Sequence, residues 1–176
     1  MFGTQRKLDS ESELYDVAVR ALMRRAHSVS EMEKLLARRA DNELLVRVVL
    51  ARLKENAQLD DARYAKQFAR QRTEIRRQGK FRITRDLRAR GVADEHIDAA
   101  LTEAAGQTDE AALVRQRIER KLKLTRGTID DRKIASLYGS LMRAGFAPDL
   151  IRRELKNIAR IEVPASDPAT NLSEDA

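Results

Sequence analysis

The chain of 176 residues has no cysteine, so disulfides and thiolate chemistry are excluded. It has no tryptophan, and aromatic residues make up only 4%. A single large core normally needs more bulky apolar side chains than this. With only three prolines and seven glycines, long segments run uninterrupted, which suits helices. No run approaches the ~18 consecutive apolar residues of a membrane span. No signal-peptide hydrophobic region opens the chain, so a cytoplasmic protein with no membrane partner is expected. There are two histidines, His27 and His96, and neither shares a metal-ligand spacing with another histidine. His27 beside a serine cap reads as part of a helix junction, and His96 as part of a solvated face. The acid pairs Asp60/Asp61 and Asp130/Asp131 each precede a helix, where carboxylates cap amides and favour the positive end of the dipole. A Mg²⁺ site is the weaker reading of both pairs. Gln78-Gly79-Lys80 lacks the remainder of a phosphate loop. No serine or threonine has a partnered base. No metal, no cofactor and no catalysis are expected.

What is abundant is charge, at 36% of residues. From Arg63 to Arg90 there are eleven Lys and Arg against Glu74 and Asp86, a net +9, whereas the whole chain is +7. The rest of the chain is therefore slightly acidic. Such a block marks a polyanion or an acidic protein surface. A solubilising face is the plain alternative, but it normally mixes signs.

Apolar spacing of three and four residues predicts helices throughout. Residues 1–9 lack it and are expected to fray. Ser10 or Ser12 caps a helix with Leu14, Val17, Ala18, Ala21 and Leu22. Ser28-Val29-Ser30-Glu31 is a capping box before Met32, Leu35 and Leu36. A third helix spans about Asn42 to Asn56. The next, opened by Asp60-Asp61, places Ala65, Phe68 and Ile75 on one face and Arg63, Lys66, Arg70 and Arg77 on the opposite one. Arg72 projects into the apolar stripe, with its stem packed and its head snorkelling to water, or with its head paired to a carboxylate. Tyr64 falls near the edge of that stripe. After Gly79, Ile83 and Leu87 form a buried edge, with Arg82, Arg85 and Arg88 facing away and Phe81 exposed. Gly91 suits the C′ position of that helix. Asp94 starts a helix with Ile97, Ala100 and Leu101. Beyond a break at Gly106-Gln107-Thr108 come helices with Leu113, Val114, Ile118, Leu122 and Leu124, then, past Gly127-Thr128, Ile134, Leu137, Leu141 and Met142. Pro148 opens the last, with Leu150, Ile151, Leu155 and Ile158. Residues 162–176 read as a disordered acidic tail.

Leu87, Gly91, Val92, Ile97 and Leu101 correspond to Leu141, Gly145, Phe146, Ile151 and Leu155 at an offset of 54. A weaker copy begins at Leu36 and has Ala40 in the glycine position, at an offset of 51. The expected architecture is all-α: an elongated, curved array of three tandem three-helix repeats, near residues 11–56, 60–105 and 108–160. Such an array offers a long surface rather than a deep pocket.

Several segments together resemble the RecX family of recombinase regulators. They are Arg24-Arg25-Ala26-His27-Ser28 with Glu31-Met32, Leu59-Asp60-Asp61-Ala62-Arg63-Tyr64-Ala65, Gly79, Arg82-Ile83, Leu87-Arg88-Ala89-Arg90-Gly91-Val92, and Leu141-Met142-Arg143-Ala144-Gly145-Phe146. The likeness covers about residues 14–158, and order and spacing make it specific. It departs from the family pattern in the first repeat, where Ala40 and Asn56-Ala57 stand where glycine is common and Met32 replaces leucine. The resemblance implies a cytoplasmic bacterial protein of tandem three-helix repeats, and a non-enzymatic monomer is expected. It implies binding to RecA and to the RecA filament on single-stranded DNA, lodged in the filament groove. The implied outcome is inhibition of strand exchange, ATP hydrolysis and coprotease activity, restraining the SOS response. Some relatives also bind DNA directly. The residues expected to contact RecA or DNA are Arg63, Lys66, Arg70, Arg72, Arg76, Arg77, Lys80, Arg82, Arg85 and Arg88. An autonomous DNA-binding helical module without a recombinase partner is the alternative, since three-helix units can resemble helix-turn-helix domains. A helical scaffold whose charge only solubilises it is the third reading.

Overall fold

The computed structural model describes residues 7–124 and 130–162, with side chains to residue 158. Among them are nine helices: α1 (Glu11–Arg24), α2 (Val29–Ala37), α3 (Glu43–Glu55), α4 (Asp61–Glu74), α5 (Lys80–Arg88), α6 (Asp94–Gln107), α7 (Glu110–Lys123), α8 (Asp131–Ala144) and α9 (Pro148–Glu162). The all-α expectation holds. The described residues divide between Glu110 and Ala111 into two compact units.

The first unit contains two core clusters. In one, α1, α2 and α3 bury Leu14, Ala18, Met32, Leu36, Val46, Val49 and Leu53. In the other, α4, α5 and α6 bury Tyr64, Ala65, Ala69, Ile83, Leu87, Ile97 and Ala100, with Phe68 half-buried against them. The second unit has one cluster, in which Leu113, Val114, Ile118, Leu137, Leu141, Phe146 and Ile151 pack together. Glu154 lies buried in this second unit with Arg115 at 3.3 Å and Arg153 at 3.4 Å. Those guanidiniums offset the cost of taking its carboxylate out of water.

Helix starts follow the capping residues. The Ser10, Ser28, Asn42, Asp60 and Asp130 side chains each accept from the backbone amide three residues on. At Ser28 the box is complete, because the Glu31 carboxylate also accepts from the Ser28 amide. The repeat reappears in the helix ends. Gly91 (φ +73°) and Gly145 (φ +92°) adopt the left-handed conformation. The next residues, Val92 and Phe146, donate to the carbonyls of Leu87 and Leu141, both at 3.3 Å. This is the Schellman turn, and it tucks Val92 and Phe146 into the cores. Ala57 (φ +52°) makes the same turn after α3, with Gln58 donating to the Leu53 carbonyl at 2.9 Å.

Some sequence expectations are corrected. Leu8 does not fray: its amide donates to the Arg39 carbonyl and its carbonyl accepts from the Asp41 amide, in a bridge opposite Ala40. Ile75, the C-cap of α4, is 70% exposed: its backbone is still helical, but Ala65, Ala69 and Thr73 make the buried side of the helix. Arg77 sits beyond that helix with φ +50° and does not continue the stripe of Arg63, Lys66 and Arg70. Tyr64 is buried rather than at an edge. Helix α6 continues through Gly106 to Gln107. Met142 and Leu124 are exposed, at 40% and 80%, because Leu137, Leu141 and Ala144 supply the buried side of α8, and Leu124 lies one residue past the end of α7. Glu162, the first residue of the expected acidic tail, is the last residue of α9; the rest of that tail and the break at Gly127-Thr128 lie outside the described residues.

Candidate functional site: a basic face and a guanidinium-lined cleft

The basic block occupies α4, α5 and the loop between them. Arg63, Lys66 and Arg70 share the exposed side of α4, at the three- and four-residue spacing that stacks side chains on one helix face. Arg85 and Arg88 are exposed on α5, and Arg82 is half-buried. Arg76, Arg77 and Lys80 come from the connecting loop and the first residue of α5. Lys80 Nζ lies 5.5 Å from the centroid of the Phe81 ring, which is 55% exposed as the sequence predicts.

Much of this charge already has a partner. Lys66 pairs with Glu103 of α6 at 2.9 Å, and Arg70 with Glu74 at 3.1 Å. Asp86 lies 3.9 Å from Arg82 and 3.5 Å from Arg85. Arg88 takes both oxygens of Asp94, at 2.7 and 3.2 Å. That guanidinium holds the Asp94 carboxyl below its ordinary range. Arg63 donates to the Ala57 carbonyl at 2.6 Å. Most of these contacts are exposed to solvent, which screens them, so they hold the side chains only loosely.

Arg72 differs. Its guanidinium lies over the Phe68 ring, 4.7 Å from the centroid, and the Arg90 guanidinium lies over the same ring at 4.8 Å. Among the described residues Arg72 has no carboxylate partner, and its buried Nε–H meets no acceptor. Of the two fates expected for this side chain, the carboxylate pair is not found among the described residues, and it is the guanidinium head, not only the stem, that packs on the apolar surface. The wall it forms belongs to a cleft of about 620 Å³, bounded by Arg25 just after α1, by Glu31 in the first turn of α2, by Tyr64, Phe68 and Arg72 from α4, and by Arg90 after α5.

Glu31 anchors the cleft. Arg25 donates to both of its oxygens, at 3.0 and 3.3 Å, Arg90 approaches at 3.8 Å, and the Tyr64 hydroxyl donates at 3.4 Å. Burial opposes its ionisation, but the Arg25 bond, the Ser28 amide and the two guanidinium charges outweigh burial and hold its carboxyl below the ordinary range. Burial, and then the Glu31 charge, push the Tyr64 phenol up. His27 is buried, and its Nδ1 lies 2.9 Å from the Arg25 carbonyl. A carbonyl only accepts, so Nδ1 carries the proton. Asp61 does not cap its own helix; its carboxylate accepts from the Val29 amide at 2.8 Å, at the first turn of α2. Sequence reasoning missed Arg25, Glu31 and Arg90 as parts of one site, because it is packing that brings the start of α2, the α4 face and the turn after α5 together.

Among the described residues no group of three or more His, Cys, Asp or Glu could hold a metal, and no helix is long and apolar enough to cross a membrane.

Comparison with known proteins gives a consistent answer. The family model of the second three-helix domain of RecX matches residues 60–101, which include all ten of the predicted contact residues. The chain is 39% identical over 138 residues to regulatory protein RecX of Halorhodospira halophila, spanning 78% of this chain and 83% of that relative. It is 35% identical over 153 residues to regulatory protein RecX of Mycolicibacterium vanbaalenii, spanning 80% and 82%. Its fold superposes on the crystal structure of RecX from Lactobacillus salivarius with a TM-score of 0.73, at 20% identity, covering 85% of this chain and 97% of that one. With sequence likeness along most of its length and the same helical fold, the chain belongs to the RecX family of regulatory proteins.

Proposed function

We propose that this protein binds RecA and the RecA filament on single-stranded DNA, and inhibits strand exchange, ATP hydrolysis and coprotease activity. It would thereby restrain recombination and the SOS response, acting in the cytoplasm as a monomer without chemistry of its own. Its units near residues 11–56, 60–105 and 108–160 act as a scaffold that presents the middle one. The observation that carries the reading is the one-sided charge of α4 and α5. Arg63, Lys66, Arg70, Arg76, Arg77, Lys80, Arg82, Arg85 and Arg88 meet phosphates or an acidic protein surface, and Arg72 adds the cleft wall. Their exposed carboxylate partners exchange readily for such an anion, because a surface ion pair is weak. Phosphate contacts of this kind position a protein on nucleic acid without reading sequence.

The test adds the purified protein to RecA on single-stranded DNA and follows ATP hydrolysis. Wild type lowers the rate. Reversal of Arg70, Arg77 and Arg82 to Glu weakens inhibition and its salt dependence while helicity is retained. A triple variant that inhibits like wild type removes the basic face from the contact. Tight binding to duplex DNA without RecA, and no effect on hydrolysis, replaces this reading with an autonomous DNA-binding module.

A further inference from the structure

We infer that the cleft between α2, α4 and the end of α5 holds one unstacked nucleotide of a single nucleic-acid strand. The cleft has about 620 Å³, within the about 300–1,000 Å³ range of small-ligand sites. Its chemistry is that of a planar anion site. Two guanidiniums lie over one phenyl ring, Arg72 at 4.7 Å and Arg90 at 4.8 Å from the Phe68 centroid. Flat cations and aromatic rings are the surfaces on which bases of single strands stack.

The charges inside are unequal. Glu31 engages Arg25 and Arg90, whereas Arg72 has no carboxylate partner among the described residues. Its Nε–H is enclosed, but no carboxylate offsets the charge of this guanidinium, which therefore can take an anion at the cleft. A phosphate oxygen supplies that anion, and the attached base meets the guanidinium–phenyl wall. Gln67 and Gln71 line the same cleft and bring both donors and acceptors to a base edge. A side-chain carboxylate from a protein would satisfy Arg72 but leave the aromatic wall unused. A duplex keeps its bases stacked inside and offers the cleft only phosphate. Single-stranded nucleic acid is the ligand that uses every wall.

The inference goes beyond filament binding and needs no recombinase, so the two fail separately. The test is binding of the full chain to a short oligothymidine strand carrying one 2-aminopurine, at low salt and without RecA. Wild type should bind and quench the aminopurine. Arg72→Gln keeps the packed stem and removes the charge. It should weaken binding about tenfold and lose the quench, as expected for one stacked base, with helicity unchanged. Gln71→Glu, at an exposed position, places a carboxylate at the cleft and should weaken binding similarly. This second variant keeps the test decisive if Arg72→Gln perturbs folding. Wild-type affinity and quench in both variants would overturn the inference. So would displacement of the strand by an oligoglutamate peptide, or by duplex of the same length, as readily as by unlabelled strand. Loss of strand binding in Arg72→Gln with full inhibition of RecA would support the nucleotide site and separate it from the inhibitory contact.

Discussion

The Ser28 hydroxyl donates a 2.6 Å hydrogen bond to the Arg90 carbonyl, 62 residues further along the chain. The same oxygen accepts from the Glu31 amide at 3.1 Å and so caps α2. One buried hydroxyl therefore starts a helix of the first core cluster and ties it to the helix end of the second. Beside it the Asp61 carboxylate accepts from the Val29 amide, so α4 also supplies a cap to α2. Ser28→Ala removes the cap and leaves the Arg90 carbonyl without this donor. It should cost about 2 kcal/mol in urea unfolding, with little change in helix content at zero denaturant. A loss below about 0.5 kcal/mol, the range of ordinary surface substitutions, would mean that the junction does not depend on this atom.

The two glycines Gly91 and Gly106 should respond to alanine in opposite directions. Gly91 has φ +73°, and a Cβ there would lie 2.5 Å from Ser30 Cβ and 2.6 Å from its Oγ. Strain and collision add, so Gly91→Ala should destabilise by more than the about 1–2 kcal/mol of the left-handed conformation alone. Gly106 lies within α6 with nothing within 4 Å of a built Cβ. Gly106→Ala should leave stability unchanged or raise it by up to about 1 kcal/mol through helix propensity. Thermal unfolding of the pair checks both signs at once.

These relationships also mark where the sequence is informative. Ser28, Asp60, Asp130, Gly91 and Gly145 announce helix starts and stops because capping is local, decided within a few residues. The Ile83/Leu87 edge and the outward Arg85 and Arg88 follow from helical periodicity for the same reason. The end of α4 was not legible. Apolar spacing continues to Ile75, but the buried side of α4 is made by Ala65, Ala69 and Thr73, and φ +50° at Arg77 is a cost that no sequence pattern signals. The ties of Ser28 to Arg90, Asp61 to Val29 and Lys66 to Glu103 are products of packing across tens of residues. The cleft was missed on that account, and the net charge of the basic block overstated how much of it is unpaired.

Glu103 restrains Lys66 through a 2.9 Å pair in which both side chains are about half exposed. Glu103→Gln should change stability by less than about 0.5 kcal/mol, because such pairs contribute little. It releases a cation on the face that carries Arg63 and Arg70. If that face meets single-stranded DNA, the log–log salt dependence of binding should steepen by about 0.7 for one added phosphate contact. Titrating inhibition of RecA against salt for wild type and variant measures this. An unchanged slope places the contact elsewhere.

Acid should weaken the Glu31 junction by protonating its carboxylate. The Glu31 carboxyl is held below its ordinary value of 4.5: burial opposes ionisation, and the Arg25 bond, the Ser28 amide and the charges of Arg25 and Arg90 overcome it. Asp60 is likewise lowered, first by the Arg63 amide, but from 3.8. A carboxyl with a depressed folded-state value binds fewer protons folded than unfolded, so stability rises with pH across the gap between the two values. The Glu31 contribution is thus fully present above the unfolded value of 4.5 and is lost as pH falls through the folded one. Glu31→Gln can still accept the Ser28 amide but cannot carry charge. The stability difference between wild type and Glu31→Gln should be constant from neutral pH down to about 5, then shrink as the pH falls below the ordinary glutamate value. Urea midpoints across that range check the sign. A difference independent of pH would show that the junction is held by packing and neutral hydrogen bonds rather than by the Glu31 charge.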